Sequence, residues 1–232
     1  MGKVEIVIAL NTSSVDTALK WVDTLKEEVN FFKVGLPLFV SFGKKFIEKL
    51  KKRNSKIFLD LKLCDIPSVV KETVKEISTL GVDVITVHTM GGSEMLKVAR
   101  DSSKDLKIIG VTLLTSLSED FLRDTLSSTI EMNEMVLNLS HMAREAGLDG
   151  VVASGREVKL IKKKFGKSFM VVVPGVRLKG EEKYDQKRTI SPGEVARDGA
   201  DIIVVGRPVT HSVNPIEVIK KYKKEIEESL SV

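Results

Sequence analysis

One cysteine, Cys64, stands among 232 residues. A lone thiol has no partner in its own chain, so no disulfide framework holds this fold, and such sparing use fits a reducing, cytoplasmic setting. No apolar run approaches the ~20 residues that a membrane-spanning helix requires. The apolar stretch inside Met1–Leu10 is too short and too acidic for a signal peptide. Trp and Tyr are scarce, with only Trp21, Tyr184 and Tyr222. None alternates with basic residues as a single-strand nucleic-acid binder requires. The sequence also lacks a G-x-G-x-x-G fingerprint, a His/Cys/Asp set at metal-ligand spacing and an arguable Ser-His-Asp arrangement. No linker, low-complexity segment or compositional shift marks a boundary. These absences leave a soluble intracellular protein with no membrane and no nucleic-acid partner.

Charge is what the sequence has in quantity. The formal net charge is +5 and the pI about 9.1, yet lysines sit beside glutamates on apparent helices, as in Lys44–Lys49 and Lys220–Glu225. Such interleaving reads as a solvated exterior, with some cationic charge left for an anionic small molecule. At 42% hydrophobic residues the chain can bury a large core without metal or disulfide staples.

The order in which apolar residues come defines the fold class. Eight short β-branched runs alternate with longer helical patterns: Glu5–Leu10, Phe31–Gly35, Lys56–Lys62, Asp83–His88, Lys107–Leu114, Asp149–Ala153, Phe169–Pro174 and Asp201–Gly206. Between them the helical segments are Val15–Glu28, Phe39–Arg53, Val69–Leu80, Glu94–Ser102, Asn133–Ala146, Glu157–Phe165, Pro192–Asp198 and the closing Pro215–Leu230. The strands are near-continuous Val/Ile/Leu runs, as parallel strands covered on both faces should be. Gly81, Gly147 and Gly199 each end a helix just before a strand begins. Eight uninterrupted βα units point to residues 1–232 forming one (β/α)8 TIM barrel, with an open doubly wound sheet as the alternative.

Function in a barrel collects at the C-terminal ends of the strands. Reading only those ends gives Asn11, Lys33, Asp60, Lys62, Asp65, His88, Thr115, Ser154, Arg177 and Arg207. Strand alternation places Asp60 and Lys62 on one face, about 7 Å apart. Lys33 ends the neighbouring strand and extends the pair to a chain of alternating charge. By spacing alone, a structural ion-pair network and a catalytic array explain this equally well. Later in the chain, Gly206-Arg207 precedes a short helix, the usual place for a phosphate in barrels that bind one. Pro174-Gly175-Val176-Arg177 leads into Leu178–Ser191, a charged loop that reads as a lid or as a mobile solvated segment. His88 reads as a rim histidine bonded to backbone in preference to a general base.

The segment Asp60-x-Lys62-x-x-Asp65-Ile66-Pro67 resembles the signature of the orotidine 5′-monophosphate decarboxylases, in their bacterial form. Five further stretches resemble that family in order: Lys33-Val-Gly, Thr86-Val-His88-Thr-Met-Gly-Gly, Leu114-Thr115-Ser116, Pro174-Gly-Val-Arg177 followed by Asp185-Gln186-Lys-Arg188, and Gly206-Arg207. The resemblance implies a cofactor-free enzyme that turns orotidine 5′-monophosphate into UMP. It implies that Lys62 donates a proton to C6 of the pyrimidine, that Asp60 sits against the substrate carboxylate, and that Lys33 positions the ribose. It further implies a homodimer in which Asp65 serves the neighbouring subunit's site. Ile66, Val69 and Thr115 would shape the ribose and base pockets, and Gln186, Arg207 and the Gly206–Arg207 backbone would hold the phosphate, with Arg177 beginning the lid.

Two positions depart from the family's pattern. Asn11 stands where an aspartate is usual, and Val69 where a threonine is usual. A related class of barrel enzymes acts on keto-sugar phosphates with Mg²⁺ and shares the D-x-K-x-x-D segment, so that segment alone does not separate the two. Asp65-Ile66-Pro67, Leu114-Thr115-Ser116 and Asp185-Gln186 favour the nucleotide. A non-catalytic phosphate or nucleotide sensor on a degenerate barrel is the remaining alternative, opposed by the intact Asp60, Lys62 and Asp65.

Overall fold

The computed structural model describes residues 4–180 and 190–231. Eight parallel strands close into a barrel in sequence order: β1 Glu5–Leu10, β2 Phe31–Gly35, β3 Lys56–Leu63, β4 Val84–His88, β5 Lys107–Val111, β6 Gly150–Val152, β7 Met170–Pro174 and β8 Ile202–Val205. Pairing of β1 with β8, from Glu5 opposite Ile202 to Ile8 opposite Val205, makes the closure and excludes the open sheet. The architecture is a TIM barrel.

Ten α-helices occur among the described residues: α1 Val15–Leu25, α2 Leu36–Phe42, α3 Lys44–Lys51, α4 Pro67–Ser78, α5 Gly92–Asp101, α6 Met132–Glu145, α7 Val158–Phe165, α8 Pro192–Arg197, α9 Arg207–Thr210 and α10 Pro215–Leu230. The continuous apolar strands are explained by two separate cores. Val7, Ala9, Phe31, Phe58, Val84, Ile109, Val172, Ile202 and Val204 fill the barrel interior. Their sequence neighbours, such as Ile6, Ile8, Leu10, Ile57 and Leu59, face outward and pack with the helices. Each strand is therefore buried on both faces, and the period of two shows only in which core a residue joins.

Several expected boundaries move, and one element is new. The helix expected over Phe39–Arg53 is two helices, α2 and α3, because Gly43 breaks it with φ +52°. The strand expected to reach Leu114 ends at Val111, and Thr115 belongs to the loop beyond it. Phe121–Thr125 forms a wide helical turn in that loop, which no apolar periodicity announced. Among the described residues, no helix is long and apolar enough to cross a membrane.

Candidate active site

Low in the barrel the inward-facing positions are apolar; at or just beyond the C-terminal ends of β1, β2, β3 and β7 stand Asn11, Lys33, Asp60, Lys62 and Arg177. A cavity of about 280 Å³ opens there, with an apolar floor that includes Ala9, Phe58, Val172 and Val204. Among the described residues, four cations (Lys33, Lys62, Arg177, Arg207) and one carboxylate (Asp60) line it, a net charge of +3.

Asp60 is the centre of the polar side. Its Oδ2 lies 2.9 Å from Lys33 Nζ, and its Oδ1 lies 2.8 Å from Lys62 Nζ. Thr86 Oγ1 donates to the same Oδ1 at 2.9 Å. Burial is the largest influence on this carboxyl and would raise its pKa. The charges of Lys33 and Lys62, with their hydrogen bonds, outweigh burial and hold it far below the ordinary carboxylate range. Asp60 is therefore an anion throughout the neutral range.

The backbone beneath this array is irregular, unlike the plain alternation that the sequence implies. Against β4, Leu59 pairs with Ile85 but Leu63 pairs with Val87, so four steps of β3 run beside two of β4. The surplus is absorbed where Lys62 adopts φ +51°. A left-handed conformation costs a residue with a β-carbon about 1–2 kcal/mol. The Lys62 N–H, displaced from the ladder, donates to Thr86 Oγ1 at 2.8 Å.

Arg177 and Arg207 stand on other strands' ends. Gly175, at φ +75°, turns the chain out of β7, and the Arg177 guanidinium donates to Val176 O at 2.7 Å. Tyr222 of α10, fully buried, donates to that carbonyl as well at 3.2 Å. Arg177 N donates to Ile190 O at 3.0 Å, and Val176 bridges Ile190, so the two ends of the 178–189 segment are joined at its base. Gln186, with Asp185 and Arg188, lies outside the described residues. Arg207 opens α9 directly after Gly206, so it is the first residue of the short helix it was expected to precede.

The expected residues divide into two groups. Asn11, Lys33, Asp60, Lys62, Thr115, Arg177, Gly206 and Arg207 all line the cavity. Asp65, Ile66 and Val69 do not. They are exposed, at the turn into α4 and its first turn, and the Asp65 carboxylate accepts from Ile66 N at 2.7 Å. The role of Ser154 is local, its hydroxyl and the Glu157 carboxylate together capping a single helical turn. His88 accepts from Met90 N–H through Nδ1 at 3.3 Å, as a rim histidine would. Burial and the nearby Lys62 charge lower its pKa, which favours the neutral ring. Sequence reading missed Thr86 as a site residue. Its signal was a hydroxyl on an inward position of a strand otherwise made of Val, Ile and His.

A closed (β/α)8 barrel, an apolar cup and cations around one clamped carboxylate together define a barrel protein for a small, multiply anionic ligand. The chain belongs to the Orotidine 5′-phosphate decarboxylase / HUMPS family, whose model matches residues 5–222. It is 42% identical over 229 residues to an orotidine 5′-phosphate decarboxylase of Fusobacterium nucleatum subsp. nucleatum, covering 97% of each chain. It is 42% identical over 222 residues to the Staphylococcus aureus (strain Newman) protein of the same name, covering 94% of this chain and 96% of that one. A crystal structure of orotidine 5′-phosphate decarboxylase from Lactobacillus acidophilus superposes with a TM-score of 0.85 at 35% identity, covering 97% of this chain and 99% of that one.

Proposed function

We propose that this chain is a cytoplasmic orotidine 5′-monophosphate decarboxylase, releasing UMP and CO2 without a cofactor in de novo pyrimidine synthesis. The observation that carries the reading is the Lys33–Asp60–Lys62 array at the mouth of a cavity whose other ends hold Arg177 and Arg207. The substrate carries a carboxylate and a phosphate of about −1.5 to −2 charge at neutral pH, which a cavity of net charge +3 accommodates.

Breaking the C6–carboxylate bond leaves an electron pair on a vinylic carbon with no neighbouring carbonyl to take it up. The Lys62 ammonium beside that carbon stabilises the pair and then transfers a proton to it. Solvent reprotonates the resulting amine. Asp60 fixes both ammonium groups, and its own negative charge beside the substrate carboxylate is relieved as neutral CO2 departs. Gln186, Arg207 and the Gly206 backbone hold the phosphate, with Arg177 at the start of the lid. Their binding energy, realised far from C6, drives exclusion of water. Thr115 contacts the base, and Asn11 the ribose.

The working unit in this reading is a homodimer in which Asp65, Ile66 and Val69 complete the partner's cavity. Support comes from exposed apolar side chains that follow neighbouring strands at one sector of the rim: Leu36, Val40 and Phe42 after β2, Ile66 and Val69 after β3, and Met90 after β4. Mixing inactive Lys62→Ala with inactive Asp65→Ala subunits should restore about a quarter of full activity, since half the dimers then hold one intact site. No recovery after verified exchange removes the shared site.

The function itself is tested by following the loss of orotate absorbance when purified protein meets orotidine 5′-monophosphate in EDTA. Turnover that persists in chelator supports the proposal. Turnover of a keto-sugar phosphate that chelator abolishes replaces it with the Mg²⁺-dependent reading, and absence of turnover on both substrates replaces it with the non-catalytic sensor.

A further inference from the structure

We propose that Thr86 is the positioning residue of this site: its hydroxyl fixes the Asp60 carboxylate and the left-handed backbone of Lys62 together, and so sets where the Lys62 ammonium stands. The effect on turnover rests on the decarboxylase reading; the effect on the backbone does not.

A hydroxyl has one proton to give and lone pairs to receive. Thr86 Oγ1 donates to Asp60 Oδ1 at 2.9 Å and accepts from Lys62 N at 2.8 Å. Both bonds converge on one residue pair, and Thr86 is fully buried. The place is the one where β3 carries two residues more than β4. In a regular parallel ladder the Lys62 N–H would meet a backbone carbonyl; here a side chain takes that part. Backbone strain of this kind persists only where the surroundings over-determine it. The Thr86 hydroxyl and the Lys62–Asp60 ion pair at 2.8 Å close that local frame. Removing the hydroxyl frees the Lys62 backbone to leave φ +51°, which swings the base of a long flexible side chain. The ammonium then loses its fixed place beside the reacting carbon, while the phosphate end of the cavity, on β7 and β8, is untouched.

Valine matches threonine in shape but offers no hydrogen bond; serine keeps the hydroxyl and drops the methyl. The test compares wild type, Thr86→Val and Thr86→Ser, measuring kcat and KM on orotidine 5′-monophosphate, Kd for UMP, and amide exchange at Lys62 by NMR. Thr86→Val should lower kcat about 100-fold, the scale of a 1 Å misplacement. KM and the UMP Kd should move less than about threefold, because the phosphate contacts remain. Exchange at the Lys62 amide should quicken more than about tenfold while that at Leu59 holds, a local opening and not a global one. Thr86→Ser should recover kcat to within about fivefold of wild type. If the valine variant fails to fold, Thr86→Ala supplies the second hydroxyl-free protein. A hydroxyl-free variant with near wild-type kcat, a loss that serine does not restore, or unchanged exchange at Lys62 each overturns the proposal. If wild type itself does not decarboxylate the nucleotide, the function falls, and Lys62 exchange still decides the positioning role.

Discussion

The two ends of the barrel use aspartate in opposite ways. At the N-terminal end, Asp83, Asp149 and Asp201 stand just before β4, β6 and β8, each two residues after a glycine of positive φ. Each carboxylate accepts a backbone N–H from the preceding strand: Ile57 at 2.7 Å, Ile108 at 2.8 Å and Val171 at 2.7 Å. Asp149 and Asp201 add Arg100 and Lys162 at 2.8 and 2.7 Å. At the C-terminal end, the described partners of Asp60 are all side chains: Lys33, Lys62 and Thr86. A carboxylate held by main-chain amides fastens one strand to the next. A carboxylate held by ammonium groups at a cavity wall remains able to share them with a ligand. The same residue type is a stitch at one end and an electrostatic template at the other.

The largest break in that comparison is Lys62→Ala. It removes the proposed proton donor and one of the two charges that keep Asp60 ionised, so turnover should fall by at least about four orders of magnitude. Far-ultraviolet circular dichroism should remain that of the wild type. Retention of more than a tenth of the activity would take Lys62 out of the chemistry.

Arg207→Ala acts on the same end but on the far side of the cavity. It should lower kcat/KM for orotidine 5′-monophosphate by roughly 100-fold, the range for losing a charged hydrogen bond to phosphate, and scarcely change it for orotidine. Steady-state kinetics on the two substrates make the comparison. Equal losses would assign Arg207 to structure.

The opposite end should respond in stability and not in rate. Asp149→Asn keeps one acceptor but loses the charge opposite Arg100, which is only 17% exposed. We expect a loss of about 1–3 kcal/mol in urea unfolding, with kcat within error of wild type. A fall in kcat at unchanged stability would erase the division between the two ends.

The sequence was informative for one of these ends and nearly silent on the internal wiring of the other. Gly81, Gly147 and Gly199 announced strand starts because the helix stop and the strand run are both local signals. The strand-end reading also found Lys33, Asp60, Lys62, Arg177 and Arg207, because in a barrel the last inward position of every strand faces one cavity. Thr86 escaped because its role depends on a bulge in a different strand, and register between strands 24 residues apart has no local signature. The break between α2 and α3 was missed because apolar residues continue through Gly43 at helical spacing, so the pattern hid the change in direction. Thr115 was found at the cavity although its strand had ended four residues earlier, since the loop turns back over the barrel mouth.

The smallest expected effect belongs to Asn11, a neutral amide that lines the cavity beside the charged array. Its Oδ1 lies 3.7 Å from where a β-carbon on Gly35 would stand, Lys33 Nζ lies 3.6 Å from the same point, and its Nδ2 is 4.0 Å from the corresponding position on Gly206. The amide thus has its oxygen on the Gly35 side and its nitrogen on the Gly206 side. Asn11→Asp would add a second anion to the cavity besides Asp60 and lower the net charge of its described lining from +3 to +2. A carboxylate accepts a stronger hydrogen bond from a ribose hydroxyl than an amide does. Against this, the added charge repels an anionic substrate and the aspartate loses the donor that faces Gly206. The two effects oppose one another, and neither reaches Lys62. The expected change in kcat/KM is less than about tenfold in either direction, or roughly 1.4 kcal/mol. Steady-state kinetics of wild type and Asn11→Asp on orotidine 5′-monophosphate measure it. An inert wild type brought to life by the aspartate would mark the chain as a degenerate relative and overturn the proposed decarboxylase.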